Sequence, residues 1–322
     1  MLAIFTGTSY DFIGKRLWAY AVSVAIMLLG LGSMVVKGGL QYDIDFTGGA
    51  LVELRLAQPT PVGVIRSRLT TRGLGDSIIQ IFDNPRDVLI RTHLSQMTAT
   101  DLSRRIVEAL DDGTGPPQVR RVELVGPQIG AELRLQALYA VIVALGGILL
   151  YIWMRFDLKG GVVSIVSLAH DVIICLGAIS LANREFSLPV LAALLTVIGF
   201  SVNDRIVMYD RLREIRSRKT QPGLTFAQQV NLAVNQTLSR TVLTVATVAM
   251  SGAMLFLFGG ESLRNFGFVI LVGALTGTTS TVYVAGALDV DWSAWTDRRR
   301  SRPGSGGRGR ARRVAAVGPP AP

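Results

Sequence analysis

One apolar stretch of the chain carries ionisable side chains where a membrane helix would have only apolar ones. The stretch runs from Leu194 to Glu214 and contains Asn203, Asp204 and Arg205. An ionisable group inside a bilayer costs a few kcal/mol or more, so its presence there points to a function. A buried carboxylate with a cation nearby can bind and release a proton as its neighbours move. Asp204 is therefore our first candidate for a proton-coupling residue.

The depth of Asp204 follows from its distance to the next charged segment. At about 1.5 Å per residue, Asp204 lies about 10 Å before Arg211, which we expect to mark the cytoplasmic interface. The alternative role is a carboxylate that snorkels to the interface or pairs permanently with Arg205. Such pairing is awkward, because neighbouring side chains point about 100° apart around a helix.

Three further ionisable side chains lie in apolar runs. We expect Arg240 in the first turn of a helix over Leu238–Phe258, at a depth similar to that of Asp204. Arginine keeps its proton, so its role would be that of a counter-ion; a simple anchor at a helix end is the alternative. His170 and Asp171 lie near the middle of another run. We expect Asp171 either to join the proton-coupling residues or to pack against polar groups. We expect His170 to be an interior histidine whose hydrogen bonds are satisfied.

Smaller polar side chains accompany these candidates. Ser201, Asn203 and Thr237 are expected to supply supporting hydrogen bonds, with ordinary bonding between helices as the alternative. Gly273 and Gly277 have the four-residue spacing of small residues that allows two helices to approach closely. That spacing predicts packing and gives no information about chemistry.

The composition is that of an integral membrane protein. Of the 322 residues, 49% are hydrophobic and 17% are charged, whereas a soluble domain carries about 25% charged residues. The single cysteine, Cys175, rules out an intrachain disulfide and a cysteine-based metal site. Because no nucleophile elbow, phosphate-binding loop or metal-ligand cluster is recognisable, we predict neither an enzyme nor a cofactor.

The apolar runs predict a polytopic α-helical membrane protein with six transmembrane helices. Each run is long enough to cross about 30 Å of hydrocarbon. The first helix is predicted over residues 17–36, and the other five lie within residues 133–288. The runs are Leu17–Val36, Leu133–Met154, Gly161–Ala182, Leu188–Tyr209, Leu238–Phe258 and Phe266–Leu288.

Lysine and arginine placement predicts the orientation. Basic residues precede helix 1, lie between helices 2 and 3 and between helices 4 and 5, and follow helix 6. These four places fall on one side only if six helices are counted. The positive-inside rule then puts both termini, including residues 1–16, in the cytoplasm, and the large loop outside.

An arginine-rich tail over residues 289–322 accounts for much of the net charge of +10. Its arginines after Asp297 stand among Gly, Pro and Ala, a composition that predicts disorder. We expect this tail to fix topology and to contact anionic headgroups of the lipid bilayer. No nucleic-acid partner is expected.

Residues 38–132, between helices 1 and 2, predict an extracytoplasmic α+β domain. Its elements follow the β-α-β-β-α-β order of a ferredoxin-like fold. His93 stands alone in it, so we expect a binding or moving module. The predicted elements are Ala50–Leu56, Pro61–Arg72, Ser77–Phe82, Asp87–Thr92, Thr98–Leu110 and Gln118–Val125.

Short motifs in a fixed order resemble the SecD/SecF family of bacterial protein export, and within it the smaller SecF type. The similarity covers about residues 10–290. It depends on the order, spacing and topological position of the motifs more than on any one of them. The motifs are Asp45-Phe46-Thr47-Gly48-Gly49, Val125-Gly126-Pro127-Gln128-Ile129-Gly130, Arg155-Phe156-Asp157, His170-Asp171, Gly199-Phe200-Ser201-Val202-Asn203-Asp204, Asp210-Arg211-Leu212-Arg213-Glu214, Asn235-Gln236-Thr237-Leu238-Ser239-Arg240-Thr241 and Phe258-Gly259-Gly260.

The resemblance implies a member of the resistance-nodulation-division superfamily in the bacterial cytoplasmic (inner) membrane. It implies a SecD-like partner subunit, association with the SecYEG translocon, and use of protons to move preprotein substrates. Most of the support for proton coupling by Asp204 comes from this resemblance. Asp45, Gly48 and Gly49 are expected to form a structural turn or a close backbone contact outside the membrane. Arg205 departs from the family pattern, which usually has a small polar residue there.

Two other functions compete with the translocase role. A half-size, proton-driven exporter of small molecules would need larger outer domains than the roughly eighty residues predicted here. A scaffold subunit that conducts no protons would have no need for Asp204 and Arg240 at matching depth. We therefore favour an auxiliary subunit of the Sec protein translocase that uses the proton-motive force.

Overall fold

The computed structural model describes residues 8–82, 84–92, 98–111, 113, 115–156, 158–218 and 223–301. Within these ranges, six helices are long and apolar enough to cross a membrane, as the apolar runs predict. His93 and the arginine-rich segment beyond residue 301 lie outside the described residues.

The helices are joined by short connections, apart from the segment between the first two spans. In chain order they are α1 (Arg16–Val36), α2 (Ile44–Thr47), α3 (Val62–Thr70), α4 (Ala99–Leu110), α5 (Pro127–Arg155), α6 (Leu158–Leu181), α7 (Leu188–Arg218), α8 (Phe226–Phe258), α9 (Glu261–Thr279) and α10 (Gly286–Ser301). A π-helical segment, Ser280–Ala285, joins α9 to α10. The last membrane-spanning helix is therefore continuous over Leu263–Arg299.

A four-stranded antiparallel sheet lies in the segment between α1 and α5. Its strands are β1 (Gly49–Arg55), β2 (Ile78–Ile81), β3 (Asp87–Thr92) and β4 (Gln118–Val125), in the spatial order β2-β3-β1-β4. Along the chain the order is β1-α3-β2-β3-α4-β4. The two helices cover one face of the sheet, and their shared core includes the fully buried Leu54, Ile65, Ile90 and Ile106. Thr98 caps α4 by accepting a hydrogen bond from the Asp101 amide.

The sheet domain, which consists of the four strands with α3 and α4, joins the membrane helices through a close backbone contact. Gly48 ends α2 with φ +71° and ψ 159°, a conformation that is almost confined to glycine. A Cβ atom on Gly48 would lie 2.8 Å from Pro127 Cα at the start of α5. The predicted close contact at the paired glycines is therefore present, although the residues before it form the short helix α2 instead of a turn.

The prediction of Leu238 as the start of the fifth span was wrong. Helix α8 begins at Phe226, because Thr225 and Gln228 form a capping box. Its first turns are amphipathic, and Val230, Ala233 and Val234 are buried on the inner side. Arg240 consequently lies about four turns inside the helix instead of in its first turn.

The predicted disorder from residue 289 was also wrong for the described part of that segment. Helix α10 continues to Ser301. Lys159 on α6 stabilises it, because its ammonium donates to the Asp289 carbonyl at 3.0 Å and to Ser293 Oγ at 2.6 Å. The membrane helix thus continues into the region that composition alone assigned to the tail.

Candidate functional site

The centre of the helix bundle contains a fully buried ion pair. Asp171 on α6 and Arg205 on α7 both have side chains with 0% exposure, and Arg205 Nη2 lies 2.8 Å from Asp171 Oδ2. Helix α7 presents Arg205 and Ser201 on one face, since residues four apart lie above one another. Arg205 therefore points away from Asp204, as the angular separation of the two residues requires.

The Asp171 carboxylate is surrounded by donors. Ser201 Oγ donates to Oδ2 at 2.7 Å, and Ser280 Oγ donates to the same oxygen at 2.9 Å. The other oxygen lies 3.1 Å from Nδ1 of His170. The ring of His170 therefore does contact its neighbour, and His170 and Ser201 belong to one buried polar cluster with Asp171.

Arg205 connects three helical elements. Its Nη1 donates to the carbonyl of Ser164 on α6 at 3.0 Å, and its Nη2 also contacts Ser201 Oγ at 2.9 Å and Ser280 Oγ at 3.1 Å. A buried cation requires such partners, because taking an ion out of water costs several kcal/mol. Asp171 and the oxygen atoms of Ser164, Ser201 and Ser280 are the partners that meet this requirement for Arg205.

Close helix approach makes this cluster possible. A Cβ atom on Gly277 would lie 3.2 Å from Ser201 Oγ, so a larger residue there would require Ser201 to move by a few tenths of an ångström. The next turn is the π-helical segment, which begins at Ser280. Single-turn π segments are rare and occur frequently at functional sites. The widened turn here coincides with the serine that donates to Asp171.

Asp204 lies in a different environment from Asp171. The residue is 3% exposed, and its Oδ2 atom has no hydrogen-bond partner among the described residues. The cations whose charge acts on it are Arg205 and Arg240. Neither forms an ion pair with it within the described ranges, and Arg240 is exposed. Asp204 is thus a buried carboxyl group that is not committed to a partner in this conformation.

The remaining supporting residues are not brought together. Asn203 is exposed on α7. Thr237 donates to Ala233 in its own helix at 3.0 Å and makes no interhelical hydrogen bond among the described residues. The supporting hydrogen bonds expected of these two residues remain a prediction.

The sheet domain is fixed to the beginning of α7. Leu188 N donates to Asp45 Oδ2 at 3.0 Å, so a residue of the paired-glycine motif caps the helix that carries Asp204. Phe46 packs on Phe186 with ring centroids 5.4 Å apart. Tyr42 pairs with Phe186 through a parallel backbone bridge.

A second buried ion cluster reinforces this contact. Arg91 on β3 pairs with Glu185 in the α6–α7 connection, and its Nη2 lies 3.3 Å from Asp43 Oδ1. Burial raises the pKa of Asp43, and the positive charge of Arg91 opposes that rise. Because burial disfavours the charged carboxylate, Arg91 is the group that makes it tolerable there.

Sequence reasoning missed several of these residues. Ser280 is one of several hydroxyl residues in the last span, so its type alone did not single it out. Ser164 contacts Arg205 through its backbone carbonyl, which no side-chain pattern reveals. Arg91 and Glu185 gave no pattern of their own, because they are 94 residues apart in the chain. An unexplained arginine beside Asp204 was the one signal that could have led to the central pair.

Residues 106–295 match the model of a family described as protein export membrane protein SecD/SecF, C-terminal. Protein translocase subunit SecF of Desulfurispirillum indicum is 45% identical over 87% of this chain and 91% of its own length. The same subunit of Pseudomonas aeruginosa is 39% identical over 85% of this chain and 89% of its own length.

A solved structure shares the fold. The crystal structure of SecDF, a translocon-associated membrane protein from Thermus thermophilus, superposes with a TM-score of 0.80 at 40% identity. The match covers 89% of this chain and 39% of that longer chain. These names favour protein export over the alternative of small-molecule export. The sequence, the fold and the order of the motifs agree, and the chain belongs to the SecD/SecF family of protein export membrane proteins.

Proposed function

We propose that this chain is an auxiliary subunit of the Sec protein translocase, which works with a SecD-like partner to promote preprotein translocation at the expense of the proton-motive force. Its relatives of similar length are named protein translocase subunit SecF. The chain also matches 40% of the longer SecDF subunit of Thermus thermophilus. This partial match supports a SecD-like partner, and association with SecYEG completes the proposal. The role is mechanical, without enzymatic catalysis.

The observation that carries the proton-coupling part is the uncommitted, buried carboxyl group of Asp204. A neutral carboxylic acid can occupy such a position, whereas a carboxylate there needs a cation. Arg240 on α8 is the cation free to approach, because Arg205 is held by Asp171. Proton binding and release at Asp204 would therefore change the attraction between α7 and α8.

The membrane potential supplies enough energy for this step. One charge that crosses the membrane gains about 2.3 kcal/mol per 100 mV. A change of 1.4 kcal/mol shifts a two-state equilibrium about tenfold. A single proton is thus sufficient to bias the packing of two helices.

The orientation that fits this role places both termini in the cytoplasm of a bacterium. The sheet domain then lies beyond the inner membrane, and we therefore call it the outer domain. Basic residues support this orientation, since Arg211, Arg213 and Arg216 lie at the end of α7 opposite the outer domain. The strand order and the covering of one face by α3 and α4 support a ferredoxin-like arrangement of that domain. Preproteins would emerge on its side.

Asp204→Asn in inverted membrane vesicles tests the proposal. The asparagine keeps the volume but binds no proton, so we expect translocation to lose its stimulation by the proton-motive force while ATP-driven translocation persists. Asp204→Glu should retain part of the stimulation. The matched control is Asp210→Asn, which removes a carboxylate of the same helix that pairs with Arg155 at 2.7 Å at the exposed end.

Undiminished proton stimulation of the Asp204→Asn subunit would reject proton coupling and leave a scaffold role. Purification from native membranes separately tests the partner. A SecD-like protein should copurify with the chain, and its absence under mild detergent conditions would contradict the proposed assembly.

A further inference from the structure

The two buried acids of the bundle have different surroundings, and that difference assigns them different roles. We propose that Asp171 is a permanent counter-ion of Arg205 and carries no proton, and that Arg205 is a positioning residue that holds the π-helical segment against α6 and α7. The inference rests on the proposed function, in which Asp204 is the proton carrier.

The hydrogen bonds of Asp171 disfavour a proton on the oxygen that faces Arg205. That oxygen, Oδ2, accepts from Arg205 Nη2 at 2.8 Å, from Ser201 at 2.7 Å and from Ser280 at 2.9 Å. A proton on Oδ2 would bring its O–H against the N–H of Arg205, so two donors would face each other. The second oxygen lies 3.1 Å from His170 Nδ1 and accepts from it when the ring carries its proton on that nitrogen.

Arg205 itself requires the negative charge. It is the largest side chain in the described residues that is fully buried, and an arginine keeps its proton in a protein. A buried cation without a counter-charge is strongly unfavourable. Neutral Asp171 would leave Arg205 without one, because Asp204 points elsewhere and makes no ion pair with it among the described residues.

The contacts of Arg205 also explain how the last span is held. One guanidinium joins the Ser164 carbonyl on α6, Ser201 on its own helix and Ser280 at the start of the π-helical segment. Gly277, one turn earlier, brings the same span against Ser201.

A double-variant cycle on the full chain with its partner tests the assignment. The variants are Asp171→Asn, Arg205→Gln and the two together. The double variant has neither charge and keeps a polar amide at each position. Each single variant leaves one buried charge unpaired, and we expect its unfolding temperature in detergent to fall by about 5 °C or more. The double variant should recover most of that loss and should translocate, with proton stimulation, to within about twofold of the parent chain.

The pH profile is the readout that a purely structural role would not move. If Asp171 does not titrate, the double variant should show the parent dependence of proton-stimulated translocation on pH. A double variant that regains stability but loses proton stimulation would contradict a pair with a positioning role only, and one that shifts the pH profile would show that Asp171 carries a proton; either result would overturn the proposal. Equal stability of Asp171→Asn and the parent chain would overturn it as well.

These outcomes are distinct from those of Asp204→Asn. If Asp204→Asn keeps full proton stimulation, the proposed function fails, while the stability cycle of Asp171 and Arg205 still reports on the ion pair. If Asp204→Asn loses stimulation and the double variant also loses it, the function stands and the counter-ion role of Asp171 fails.

Discussion

Arg91 is the residue whose removal should release the outer domain from the membrane helices. Its side chain is 9% exposed and faces Glu185, which is 10% exposed, and Asp43, which is 20% exposed. Arg91→Met keeps much of the apolar stem but leaves two acids in a buried site without a cation. Loss of one partner of a buried ion pair costs about 3–5 kcal/mol. At 1.4 kcal/mol per factor of ten, the equilibrium between attached and detached domain should change by a factor of about 100–4,000.

Hydrogen exchange of backbone amides measures this equilibrium without further substitutions. The amide of Phe186 donates to the Gln41 carbonyl at 2.7 Å, and that of Leu188 donates to Asp45 at 3.0 Å. Both bonds cross from the α6–α7 connection to the segment between α1 and β1, so both break when the domain detaches. Their protection should fall in Arg91→Met, and proton-stimulated translocation should fall with it.

Arg121→Met is the matched control. Arg121 lies on the same sheet face, but it is 46% exposed and pairs with the exposed Glu123. A pair of that kind contributes less than about 1 kcal/mol, so the protection of Phe186 and Leu188 should stay as in the parent chain. Unchanged protection in Arg91→Met would refute the reasoning, because it would mean that the buried ion cluster does not hold the domain.

Two further predictions concern the outer domain itself. Gly48→Ala should lower stability by about 1–3 kcal/mol in thermal unfolding, because it forces an alanine into a glycine conformation and against Pro127, 2.8 Å away; Gly63→Ala, where a Cβ meets open space within α3, should not lower it. The hydrogen-bonded guanidinium of Arg55 lowers the pKa of Asp87. A lowered pKa stabilises the fold only while the carboxylate is charged, so Asp87→Asn should reduce the unfolding temperature at pH 7. Its difference from the parent should shrink once the pH falls below the ordinary value of about 3.9, and it should vanish below the lowered pKa of Asp87. A difference that stays constant as the domain is titrated to acid pH would contradict the charge-based explanation.

The number of spans was predictable because apolar length and basic residues are local properties of the chain. The strands of the outer domain were predictable for the same reason, since short apolar runs mark β1 and β3, which are buried along most of their length. The start of α8 was also encoded locally, in the capping box of Thr225 and Gln228. The length of the apolar run alone does not indicate this start, because the first turns of α8 are amphipathic.

The central ion pair could not be predicted from local pattern. Asp171 and Arg205 are 34 residues apart, and whether they meet depends on the rotation of two helices about their axes. That rotation is set by close contacts such as the one between Gly277 and Ser201. The capping of α7 by Asp45 is equally non-local, since the bond spans 143 residues.

Helix α7 links the two ends of the molecule in a way that explains why so many polar groups converge on it. At one end its first amide is held by Asp45 of the outer domain. Asp204 lies sixteen residues further, or about 24 Å along a straight helix, and Arg205 directly after it holds α6 and the last span. A helix does not compress along its axis, because its backbone hydrogen bonds fix its rise. A shift of α7 along its axis, caused by a change of charge at Asp204, should therefore also be felt at Asp45.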